Sequence, residues 1–250
     1  NGNFANVTFQ VTDGYQTITP IDEVVVTITG HNNTTDYDGA EHSVSGYDVE
    51  ISNPLYKESD FTFSGNAEAK RTDAGTTNMG LAEDQFANTN GNFSKVTFVI
   101  TDGYQTINPI DVTVTITEHS DSLVYDGAEH TVSGYDVEIS NPLYTELDYV
   151  FNGTASVSGT NVGTYDMELK PEDFANINEN FANVTFVIED GKLEITKMAL
   201  EIIAGSASKE YDGTALTENS YTSTKLGERD RFDSVTVTGS ITEVGTTDNV

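Results

Sequence analysis

Side chains able to exchange protons near neutral pH are scarce in this sequence: four histidines, His31, His42, His119 and His130, and no cysteine. The histidines form two pairs related by a shift of 88 residues. His42 and His130 each follow a glutamate, Glu41 and Glu129, a neighbourhood that suits a metal ligand set or an acid–base couple. At the matching place after a third Tyr-Asp-Gly stands Leu216. A position that accepts leucine reads as a packing position rather than a ligand. No Ser-His-Asp set is suggested by position either, so the reading is non-enzymatic with no catalytic residue assigned.

Lysine offers a second chemistry, a self-forming crosslink to asparagine, which needs a lysine buried beside an acid. Shifting by 88 places Thr145 at Lys57, Ser158 at Lys70, Asn183 at Lys95 and Ala82 at Lys170. No lysine keeps its place, so a shared isopeptide bond is not expected. Asparagine is more regular. Asn88, Asn90 and Asn92 alternate between Phe86 and Phe93, and Asn176, Asn178 and Asn180 between Phe174 and Phe181. Such amides can bridge sugar hydroxyls or offer carbonyl oxygen to calcium. They can equally close Asx turns on their own backbone, with the Phe pair anchoring the loop ends. Asp22 and Asp111 are calcium candidates, with solvated linker carboxylates as the plainer alternative. No other cofactor is expected.

The elements that must position these residues alternate with period two. Val112, Val114 and Ile116 share one face with threonines opposite, and Tyr135, Val137 and Ile139 share another with Asp136 and Glu138 opposite. Asp13-Gly14, Asp102-Gly103 and Asp190-Gly191 each separate two alternating runs, which predicts β-hairpins. Further strands are expected over 149–157 and 163–169, and one helical turn at Pro171–Phe174. Six or seven short strands per unit predict a small β-sandwich.

Self-similarity organises the whole. Tyr37–Tyr56 and Tyr125–Tyr144 differ only at Ser43 versus Thr131. Asn-x-Asn-Phe begins at Asn1, Asn90 and Asn178, and a third Tyr-Asp-Gly begins at Tyr211. The division follows: 1–22 as the closing hairpin of one repeat, 23–110 and 111–197 as complete β-sandwich repeats, and 198–250 as the first part of a divergent one. Pro20 and Pro109 stiffen the junctions. Because the window opens and closes inside repeats, it reads as cut from a longer polypeptide. A head-to-tail filament completed by strand addition is the sharper alternative.

With 41 acidic and 11 basic residues the net charge is −30, spread along the strands. Such a polyanion repels nucleic acid and anionic lipid, so no nucleic-acid partner is expected. No run of apolar residues is long enough to span a bilayer, so no direct membrane insertion is expected.

Tyr125-Asp126-Gly127, then Gly163–Leu169, then Val184–Thr196 in this order resemble the MBG/YDG-type modules of bacterial surface proteins. Ala204 onward is similar to a sister subtype. The resemblance implies tandem immunoglobulin-like β-sandwich modules in a beads-on-a-string rod, with a β-grasp-like module as alternative. It also implies non-catalytic stalk or adhesion repeats of a Gram-positive cell-surface adhesin, extracellular, with its anchor outside this fragment. Expected partners are neighbouring repeats, with host glycan or mucin as the binding-module alternative.

Overall fold

A computed structural model describes residues 2–250. The described residues are all-β, broken only by single 3-10 turns at Glu58–Asp60, Glu83–Gln85, Glu146–Asp148 and Pro171–Asp173. The last of these is the helical turn predicted from Pro171. Contacts divide the chain into two compact units, 1–110 and 111–250.

The first unit contains β1 (Val24–Gly30), β2 (Asn32–Asp36), β3 (His42–Ser45), β4 (Tyr47–Ile51), β5 (Phe61–Phe63), β6 (Glu68–Arg71), β7 (Gly75–Asn78), β8 (Phe86–Asn88), β9 (Val96–Thr101) and β10 (Tyr104–Asn108). β1 lies between β4, antiparallel, and β9, parallel. β10 lies between β2, parallel, and β7, antiparallel. Two-stranded ladders β3–β6 and β5–β8 complete the sandwich. Alternation in β1 buries Val24, Val26 and Ile28 completely against Tyr56, Phe61, Phe86, Phe93 and Phe98. Each such aliphatic side chain contributes about 1.5–3 kcal/mol. Three together rival the whole net stability of a small domain, so β1 is the strand its unit can least lose.

The second unit repeats the plan with β11 (Ile110–Glu118), β12 (Asp121–Val124), β13 (His130–Ser133), β14 (Tyr135–Ile139), β15 (Tyr149–Phe151), β16 (Ser156–Gly159), β17 (Gly163–Asp166), β18 (Phe174–Asn176), β19 (Phe181–Glu189) and β20 (Lys192–Thr196). Its sheets run β14-β11-β19 and β12-β20-β17, with ladders β13–β16 and β15–β18. Val112, Val114 and Ile116 are buried with Tyr144, Tyr149, Phe174 and Phe181. Buried Gln105 of β10 becomes buried Leu193 of β20. Beyond these, β21 (Ile202–Ala204) and β22 (Tyr221–Ser223) form one antiparallel ladder, and Leu216 bridges Ile241. Each repeat thus has ten strands where six or seven were expected, because extended runs such as 42–51 change ladder midway.

The expected Asp-Gly hairpins do not form. β9 and β10 flank Asp102-Gly103 but belong to different sheets, as do β19 and β20 around Asp190-Gly191. Gly103 serves close approach rather than positive φ: a Cβ there would lie 2.2 Å from the His31 carbonyl oxygen. Residues 6–20, expected to pair as a closing hairpin, form no ladder, and Phe9 and Ile18 are 87% and 97% exposed. The strands within the equivalent residues 95–109 take their pairing from β1, β2 and β7 rather than from each other.

The two units satisfy one buried turn differently. In the first, the Asp102 carboxylate accepts the amides of Gly80 and Leu81 at 3.0 and 2.9 Å. In the second, Glu118, only 4% exposed, accepts the amides of Leu169 and Gly191 at 2.8 and 2.7 Å. Glu118 stands where the first unit has Gly30, whose added Cβ would lie 2.3 Å from the Gly103 nitrogen. Glycine with Asp102, or glutamate in its place, are two solutions to the same orphaned amide.

Glu118→Ala should therefore cost the second unit about 3 kcal/mol, since a buried donor left unpaired costs roughly 1–3 kcal/mol. Glu118→Gly should cost clearly less, because it opens the route Asp102 uses to Asp190. Hydrogen exchange on second-unit peptides of the full chain measures both, and alanine no worse than glycine would refute the account. Glu168 has φ 62° where the first unit has Gly80 at φ 77°, so Glu168→Gly should stabilise by about 1 kcal/mol in urea unfolding. Burial, helped by nearby acidic and phenolic groups, pushes Tyr144 and Tyr149 up to about 12. The folded state thus holds protons that unfolded tyrosines release near pH 10. The stability they contribute should be intact below pH 10 and fall as pH rises towards 12, with phenolate absorbance rising in step with unfolding.

Candidate functional site

The asparagine loops are wired to the core. In the second unit the Tyr144 hydroxyl, from a ring 2% exposed, lies 3.1 Å from both the Asp148 carbonyl and Asn176 Oδ1. Asn176 Oδ1 also accepts the Asn178 amide, while its Nδ2 donates to the Asn178 and Phe181 carbonyls. All of its side-chain donors and both acceptor directions are engaged. Asn178 donates from Nδ2 to Asp148 Oδ1 at 2.9 Å and accepts the Asn180 amide. The first unit repeats this with Tyr56, Asp60, Asn88, Asn90 and Asn92. Two successive Asx turns, pinned to a buried phenol, give the loop one shape. Asp148 closes the circuit: burial raises its carboxyl pKa, but bonds from the Thr145 amide and hydroxyl and from Asn178 outweigh this and lower it overall.

The histidines also serve loops. At the Tyr-Asp-Gly tip, Asp126 Oδ1 accepts the Ala128 amide at 2.9 Å and lies 2.8 Å from His130 Nε2. Asp38, Ala40 and His42 do the same at 2.9 and 3.0 Å. The His130 ring and the Ala128 amide hold the Asp126 carboxyl below its ordinary range. His42 and His130, expected as packing positions because Leu216 stands at the third site, act instead by hydrogen bonding. The third tip compensates from elsewhere: Lys209 Nζ reaches Asp212 Oδ1 at 2.9 Å, and the Thr214 amide and hydroxyl reach it at 2.9 and 2.7 Å. Loss of one staple accompanied gain of the other, a paired change that only inspection of the residues before Tyr211 could have suggested. His31 and His119 bridge differently, each with Nδ1 2.9 Å from the carbonyl of Ser45 or Ser133 and Nε2 facing Asp48 or Asp136.

Asp22 and Asp111 sit where the opening strand meets the closing one. Asp22 Oδ1 accepts Ser94 Oγ at 2.8 Å, and Asp111 Oδ1 accepts Asn183 Nδ2 at 2.9 Å. Among the described residues no three of His, Asp and Glu converge in a group able to hold a metal ion. Lys70, Lys95 and Lys209 form exposed ion pairs with Glu68, Glu23 and Asp212. A cleft of about 690 Å3 lies within residues 204–250, lined by Lys209, Tyr211, Leu216, Ile241 and Asn249 among others. Asn249 spans it, donating to the Gly205 and Glu218 carbonyls at 2.7 Å.

What recurs across both repeats is therefore polar wiring within loops, and these side chains converge on backbone and on one another. No curated protein and no solved structure matches the chain. A family model does: residues 112–197 match the MBG domain. The matched span runs from Val112, the first buried residue of β11, to the residue after β20, so the second repeat is an MBG-type module.

Proposed function

We propose that these repeats are load-bearing and spacing elements of a bacterial cell-surface protein, non-catalytic and extracellular, in the manner of an adhesin stalk. One observation carries this reading. The strands that open the first repeat, β1 and β2, pair in parallel with the strands that close it, β9 and β10. A pull that separates the two chain ends of such a unit loads those ladders in shear, so many hydrogen bonds must fail together instead of one by one. The second repeat has the same arrangement at β12 and β20. A net charge of −30 keeps neighbouring copies soluble and apart. Neighbouring repeats are the natural partners, and neither nucleic acid nor an inserted membrane segment is called for.

Single-molecule stretching of the full chain tests it. Two high-force events are expected, each releasing about 30 nm, given about 3.5 Å per extended residue. Gradual lengthening at low force would defeat the mechanical reading. A glycan and mucin array on the same protein separates the alternative of a binding module. Background signal, unchanged in Asn90→Ala and Asn178→Ala variants, is the expected outcome. Saturable binding lost in those variants would move the assignment to a lectin-like repeat.

A further inference from the structure

One Tyr-Asp-Gly tip differs from the others in what covers it. Gly127 is buried, whereas Gly39 and Gly213 at the same place in their tips are exposed. The cover is a turn of the divergent segment, Gly227-Glu228-Arg229-Asp230, closed by the Asp230 amide donating to the Gly227 carbonyl at 3.0 Å. The Glu228 amide donates to the Asp126 carbonyl at 2.9 Å, and the Asp230 carboxylate beside the Tyr125 phenol pushes that phenol's pKa up. Two glycines meet at the centre. A Cβ on Gly127 would lie 2.4 Å from the Glu228 nitrogen, and one on Gly227 would lie 3.0 Å from both the Gly127 nitrogen and a Tyr125 ring carbon. Backbone thus excludes a side chain at Gly127, and one at Gly227 would crowd the contact.

We propose that the Tyr125-Asp126-Gly127 tip is a docking joint that seats the divergent segment on the second repeat through the Gly227–Asp230 turn. The tip is suited to this. Its own carboxylate is tied up by Ala128 and His130, which fixes the loop and leaves the Asp126 carbonyl aimed outward as the acceptor. The docking turn has no counterpart in the repeats themselves, where the equivalent stretch of the second repeat reads Asn141-Pro142-Leu143-Tyr144. The joint is therefore specific for the pairing of the two module types. It holds for a stalk or for a binding module alike.

The chain lacks cysteine, so two introduced cysteines can be spin-labelled without background. Glu172→Cys with Thr222→Cys, both exposed, places one label on each side of the joint. Pulsed electron–electron distance measurement should give one narrow distribution in the parent chain. Asp230→Ala and Gly127→Ala should each broaden it at least twofold, and Tyr125→Phe should broaden it less. Gly39→Ala, which strains a tip of similar φ in the other unit, should leave it unchanged and so controls for loop strain. A broad distribution in the parent, or equal widths in all variants, would overturn the joint.

Discussion

Everything in the repeat depends on one strand being held from both sides. β1 receives β4 on one edge and β9 on the other, and its alternate residues carry the centre of the core. β9 comes from the far end of the repeat, so this sheet cannot be completed until nearly the whole sequence of the unit is in place. Contacts of such long sequence separation slow folding and make it cooperative, since the local ladders alone bury too little to stand. The aromatic residues fill the space this arrangement encloses. Phe98 meets Phe61 and Phe86 at ring distances of 5.4 and 5.5 Å, and Tyr56 meets Phe93 edge-on at 4.9 Å. In the second unit Tyr149 takes the place of Phe61 and keeps its contacts with Phe174 and Phe186.

Around that core the structure solves a polar problem repeatedly. Ten short strands demand many crossings, and each crossing leaves amides and carbonyls that a thin sandwich cannot hide. Side chains of Asn, Asp, Glu and His close these gaps locally. Asn176 does so with four hydrogen bonds, and Glu118 does so from within the core. The residues whose types first suggest chemistry are thereby largely employed in holding loops to one shape, a use that also accounts for their recurrence at fixed spacing.

Much of this was legible in the residues. Period-two alternation located β11 and β14, with the buried face of β11 and the half-buried face of β14, and duplicated wording located two repeats of the same plan. Asp-Gly between apolar runs was misleading because local turn chemistry does not report which sheet receives the second strand. At Gly103 the decisive demand is the approach of the His31 carbonyl, a contact between residues 72 apart in sequence. The histidine staples were hidden for a related reason. Their partners lie four residues earlier, at Asp38 and Asp126, and in the divergent segment the same carboxylate is served by Lys209 instead. A hydrogen-bonding role can migrate between positions, so substitution by leucine at one of them does not mark the site as apolar.

The alternative use of Glu118 and Asp102 has a further consequence for adjacent near-copies. Repeats this similar are prone to exchange strands with each other while folding. If the opening strand of the second repeat entered the first, Glu118 would meet Asp102 as it already meets the equivalent Asp190 in its own repeat, an exposed carboxylate that leaves the leucine amide to Glu118. Divergence at this buried position therefore changes which carboxylate serves the turn without barring one repeat's strand from the other, and separation of the near-copies falls to the surfaces and their charge.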